Sequence, residues 1–126
     1  MTNEQMTKTG ERPPFDIKER TLAFGVRVVK VAQRLPKTIA GRELGKQIIR
    51  SGTSIGANVE EADGATSKKD FIHKMGIARK EARETRYWLR IIGSTLMNDQ
   101  EIESLTNERD ELAKILSKII QTARAR

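Results

Sequence analysis

The sequence has no cysteine among its 126 residues. Disulfides and thiolate metal sites are therefore excluded, and nothing in the chain needs an oxidising compartment. There is one histidine, His73, and only one tryptophan and one tyrosine. A single imidazole cannot supply the paired Glu-x-x-His motifs of a di-iron bundle. No uninterrupted apolar run approaches the length of a membrane span. The opening residues, MTNEQMTKTGERPPFD, lack an apolar stretch and do not read as a signal peptide. What remains is a cytoplasmic soluble protein, long enough for one domain with a sizeable core.

Charge is what the chain has in quantity, with 24 Lys and Arg against 17 Asp and Glu, a net +7. The excess is not in a tail. Residues 21–50 carry seven basic groups and one acid, and residues 67–97 carry eight and three. Between them, residues 51–66 hold three acids and no base. A basic face of this kind suits a polyanion, and it also suits a solvated surface with no partner.

Apolar spacing gives helices and no convincing strand. Residues 1–14 are polar and read as a disordered tail closed by Pro13-Pro14. The domain then runs over 15–126. Helix one is expected from about Asp16 to Arg34, with Ile17, Thr21, Phe24, Val28, Val31 and Leu35 on one face. Pro36 ends it. Thr38 can cap helix two, whose face reads Leu44, Ile48, Ser51, Ile55, Asn58 and Ala62. Ser67, with Asp70 three residues on, starts helix three. Phe71, Met75, Ala78, Ala82, Thr85, Leu89, Ile92 and Leu96 keep a strong four-three rhythm there. Asn98 or Asp99 caps helix four, with the face Ile102, Leu105, Arg109, Leu112, Leu116, Ile119 and Ala123. Four amphipathic helices with short links predict an all-α, antiparallel up-and-down four-helix bundle.

The stretch RSGTSIGANVEEADGATSKKDF, residues 50–71, reads by composition as loop. The helix-two spacing nevertheless continues unbroken through Gly52 and Gly56, so helix is the better reading. Each interior glycine costs about 1 kcal/mol relative to alanine. Gly52 and Gly56 share a side and would let another backbone come close. Gly64 is the natural C-cap.

RSGTSIGAN at 50–58, EEA at 60–62, DFI at 70–72 and KEARETRYWL at 80–89 carry a resemblance. From Phe15 to Ile120 the chain resembles a family of small bacterial four-helix-bundle proteins. Its founding members are encoded by intervening sequences inside large-subunit ribosomal RNA genes. The resemblance implies the same fold and a pentamer. It also extends to an accessory protein of diversity-generating retroelements, a pentamer that binds nucleic acid and a reverse transcriptase. It implies no settled activity, and no motif in the chain calls for a cofactor.

Helical register proposes a polar network between helices two and three. Like shoulders of antiparallel helices meet. One register then pairs Glu61 with Lys74, Ser54 with Glu81 and Gln47 with Trp88, and lets Arg50 reach Glu81. Ser51 and Asn58 face inward. Such a network can fix helix register or mark a ligand or partner site. Catalysis has little support. Ser51 and Ser54 have no base in their motif, and the glycines match no phosphate loop. Trp88 and Tyr87 suit packing better than stacking on bases, though the latter is open.

Arg79, Arg83, Arg86 and Arg90 form a basic row about 16 Å long on helix three, with Lys80 nearby. Arg79 and Arg86 lie where acids of helix four such as Asp110 could pair with them. Helix one adds Arg27, Lys30 and Arg34. These rows make the chain a candidate nucleic-acid-binding accessory or scaffold of weak sequence specificity. The alternative is a protein-interaction scaffold whose charge serves solubility. Leu22, Val26, Val29, Ile77, Ile91, Ile115 and Ile120 lie off the main faces and point to a homo-oligomer interface.

Overall fold

A computed structural model describes residues 15–126, with side chains from Ile17 onward. The predicted tail over 1–14 lies outside the described residues. Four helices follow in order: α1, Phe15–Arg34; α2, Ile39–Asp63; α3, Lys68–Thr95; and α4, Gln100–Ala125. α1 packs on α2, α2 on α3, α3 on α4 and α4 back on α1, while the backbones of diagonal pairs stay further apart. Short links make each consecutive pair antiparallel, giving the up-and-down bundle. None of these helices is long and apolar enough to cross a membrane.

Each link is written locally. Leu35 closes α1 by donating its N–H to the Ala32 carbonyl, and Pro36 prevents continuation. The hydroxyl of Thr38 accepts from the Gly41 N–H at 3.1 Å. Ser67 does the same for Asp70 at 3.0 Å, and Asp99 for Ile102 at 3.1 Å. These caps satisfy donors that the first turn would otherwise leave open. Gly64 caps α2 with φ of −92°, so left-handed backbone is not what places a glycine there.

Phe24, Val28, Ile48, Ile55, Met75, Leu89, Leu105, Leu112 and Leu116 form the fully buried centre. The faces predicted for α1 and α3 coincide with the buried ones, apart from half-buried Leu96. α2 and α4 require corrections. In α2, Leu44 and Asn58 are only half-buried, while Gly41, Gly45, Gly52 and Val59 are buried. Its buried stripe is turned toward α1, because small residues there admit the neighbouring helix. In α4, Ile120 is in the core and Ile119 half-buried, the reverse of the expectation. Of the other off-face apolar residues, Leu22 and Val26 are exposed, and Val29, Ile77, Ile91 and Ile115 are half-buried.

The α1–α2 seam explains the glycines of α2. A β-carbon at Gly52 would lie 2.9 Å from both methyls of Val28. At Gly56 it would lie 3.3 Å from the Thr21 backbone. From the other side, a β-carbon at Gly25 would lie 3.7 Å from the Thr53 Cα. Val28 is β-branched and fully buried, so it has no alternative rotamer to retreat into. Gly76, by contrast, has nothing within 4 Å of where a β-carbon would be.

Alanine at these positions separates packing from propensity. Gly76→Ala is expected to stabilise by roughly 0.5–1 kcal/mol through helix propensity alone. Gly52→Ala gains the same propensity but overpacks Val28 at a cost of about 1–3 kcal/mol, a net loss. Urea unfolding at fixed protein concentration checks both. Stabilisation by both substitutions would show that α1 and α2 are not held this close.

Candidate functional site

Residues 50, 81, 84 and 88 meet on the α2–α3 face. Arg50, three turns into α2, reaches across with its Nη1 to Glu81 Oε1 at 3.3 Å. Its Nη2 donates to Glu84 Oε2. The same Glu84 oxygen accepts from the Trp88 indole N–H at 3.2 Å. Lys74 lies 3.9 Å from Glu61. Beneath this layer Ser51 and Thr85, both fully buried, place their hydroxyl oxygens 2.9 Å apart. Thr85 also lies 2.8 Å from the Glu81 carbonyl, so both buried hydroxyls are satisfied.

Part of the expected network does not form. Ser54 donates to the Arg50 carbonyl of its own helix at 2.6 Å and leaves Glu81 to Arg50. Asn58 donates to the Ser54 carbonyl at 2.9 Å and stays within α2. No hydrogen bond joins Gln47 to Trp88, whose indole N–H is used by Glu84. Short polar side chains within a helix find carbonyls one turn back more easily than partners across a seam. The cluster that does form is therefore Arg50, Glu81, Glu84 and Trp88, over the Ser51–Thr85 pair.

Glu84 is held below the usual carboxylate range. The Arg50 hydrogen bond is the main cause, opposed by burial and helped by the Trp88 N–H and the charge of Lys80. Asp99 is also held low, first by the Ile102 backbone N–H at the start of α4 and then by Arg34. Both folded values lie below the unfolded ones. Their stabilisation is thus complete above the ordinary carboxylate pKa and lost as pH falls through the folded value.

The basic residues divide into two groups. On α1, the Arg27 guanidinium takes Glu101 of α4 in a two-pronged contact at 3.0 and 3.2 Å, and also donates to Ser104. Arg34 pairs with Asp99. Arg20 makes a third such contact, with Glu108 at 3.0 and 2.8 Å. The α1 row expected to meet a polyanion is thus a ladder of ion pairs, and of its members Lys30 alone has no such pair among the described residues. On α3, Arg86 lies 3.6 Å from Asp110, which also receives Arg109. The Arg109 side chain is 11% exposed and covers the α3–α4 seam from the inside. Among the described residues, Arg79, Lys80, Arg83 and Arg90 have no carboxylate within ion-pair distance, and all but Arg79 are exposed.

Sequence reasoning missed the α1–α4 ladder, although the seven-residue spacing of Arg20, Arg27 and Arg34 was a signal for it. It also missed the Ser51–Thr85 pair, whose members each stood on a predicted inner face. Among the described residues, no group of three or more His, Cys, Asp or Glu side chains is placed to hold a metal ion.

Residues 14–118 match the family of the 23S rRNA-intervening sequence protein. Among solved structures, the fold resembles a protein with unknown function from the S23 ribosomal protein family of Bacteroides thetaiotaomicron. The two are 43% identical, with a TM-score of 0.78, over 83% of this chain and 95% of that one. Among curated proteins, none matches the chain.

A double-mutant cycle of Arg50→Ala and Glu84→Ala tests the bridge. A coupling of about 0.5–1 kcal/mol is expected near neutral pH, as for a part-exposed ion pair. It should be full well above the ordinary carboxylate pKa and be lost as pH falls through the lowered value of Glu84. Zero coupling at neutral pH would show that the two side chains do not act together.

Proposed function

The chain belongs to the 23S rRNA-intervening sequence protein family, and from that premise we propose a non-enzymatic, oligomeric nucleic-acid-binding accessory protein of the cytoplasm. The supporting observation is the uneven use of arginine. Acids of α4 pair with Arg27 and Arg34 of the α1 row, whereas Arg79, Lys80, Arg83 and Arg90 on α3 have no carboxylate within ion-pair distance among the described residues. Arg83 and Arg90 are exposed and seven residues apart, about 10 Å along the helix. That row meets phosphates without reading bases, so the binding is weakly sequence-specific.

An apolar groove between α1 and α2 supports assembly. It encloses about 350 Å³ and is lined by Leu22, Val26, Val29, Gly25 and Ala57 among others. Leu22 is 61% exposed and Val26 46%. Exposed apolar side chains beside such a groove suit an interaction surface. We assign it to contact with another copy of the chain, with five subunits the number the resemblance implies. Repetition of the α3 row around a ring would add avidity to modest contacts. The same groove favours a second reading, a protein-interaction scaffold whose partner is a different protein.

Two experiments separate these readings. Arg83→Ala with Arg90→Ala is expected to weaken nucleic-acid binding and to flatten the log–log salt slope by about 0.7–0.9 for each phosphate no longer neutralised. Arg27→Ala with Arg34→Ala should leave the slope unchanged and lower thermal stability instead. Wild-type protein that binds no nucleic acid at low salt would leave the scaffold reading. Leu22→Glu with Val26→Glu is expected to yield monomers in light scattering coupled to size exclusion. A wild-type monomer at tens of micromolar would contradict the assembly.

A further inference from the structure

Tyr87 is an exposed aromatic ring set within the basic face of α3. It is 59% exposed, in a chain whose other large apolar side chains on α3 are mostly buried. It follows Arg83 by four residues and precedes Arg90 by three, so both arginines are its neighbours on one helical face. Lys80 stands two turns before it on the same side. The ring is braced as well as exposed. It meets Trp88 edge-on, with centroids 5.2 Å apart and planes at 70°. Trp88 is itself half-buried and anchored by its N–H to Glu84, which Arg50 holds in turn. The cluster on the α2–α3 face thus ends in a positioned aromatic ring between cations.

Resting on the nucleic-acid reading above, we propose that this face selects single strands, with a base stacked on Tyr87 and the flanking phosphates held by Arg83 and Arg90. Charge complementarity identifies the polyanion, and the ring distinguishes its form. In a duplex the base faces are stacked on one another and only edges and phosphates are reachable. An unpaired base offers its face, and every base has one, so stacking adds affinity without adding sequence preference. A basic row alone would bind either form. The polar brace matters because a ring held in place loses little freedom when a base settles on it.

The test uses the full chain with two fluorescent RNA probes of equal length, a single-stranded oligouridylate and a duplex. Tyr87→Ala is expected to loosen the single strand about 5- to 150-fold, leave duplex affinity within twofold, and keep the salt slope of wild type. Tyr87→Phe, which keeps the ring, should bind the single strand within twofold of wild type. Trp88 is the only tryptophan, so its emission should change on adding oligouridylate to wild type. Undiminished single-strand binding by Tyr87→Ala overturns the proposal, as does equal loss on both probes. A change of assembly mass in Tyr87→Ala also overturns it, by placing the ring in a subunit interface. Wild type that binds neither probe at low salt would bring down the nucleic-acid reading itself, a result distinct from these.

Discussion

α2 carries glycines where a helix is locally weak, and it sets that side directly against the backbone of α1. Gly52 meets the methyls of Val28, and Gly56 meets the backbone of Thr21. This close approach offsets the propensity cost of the glycines by dispersion contact that any larger side chain would forfeit. It also fixes the position of the rest of the bundle. With α1 drawn against α2, the opposite side of α2 turns to α3 and presents Arg50 and Ser51 there. A looser α1–α2 seam would move both contacts.

The seams then decide which charges are spoken for. Asp63 answers Lys18 between α1 and α2, Glu81 and Glu84 answer Arg50 between α2 and α3, and Asp110 answers Arg86 between α3 and α4. The α4–α1 seam takes three arginines at once. Each part-exposed pair contributes at most about 1 kcal/mol. Their greater effect is on distribution. Acids at the seams take up the arginines there, whereas Arg83 and Arg90, exposed on α3, have no carboxylate within ion-pair distance among the described residues.

Much of this was legible in the sequence, and the limit has a physical cause. Helical spacing through Ile48, Ser51 and Ile55 identified α2 as a helix despite its glycines. The four-residue turn after Asp63 tied α2 to α3 closely enough for register to place Arg50 near Glu81 and Glu61 near Lys74. No turn joins α1 to α4. Arg27 and Glu101 are 74 residues apart, and Arg34 and Asp99 are 65 apart. Without a short link no register could be written for them, and the α1 arginines looked free. Asn58 and Ser54 were misplaced for a different reason: spacing gives the face of a short polar side chain, and not its choice of the carbonyl behind it.

The central claim is that bound nucleic acid lies on α3 and not on α1. Lysine acetylation footprinting followed by mass spectrometry tests it directly, because Lys80 on α3 and Lys30 on α1 are both exposed. Bound oligouridylate is expected to slow modification of Lys80 and to leave Lys30 unchanged. Protection of Lys30 with Lys80 fully reactive would contradict the claim.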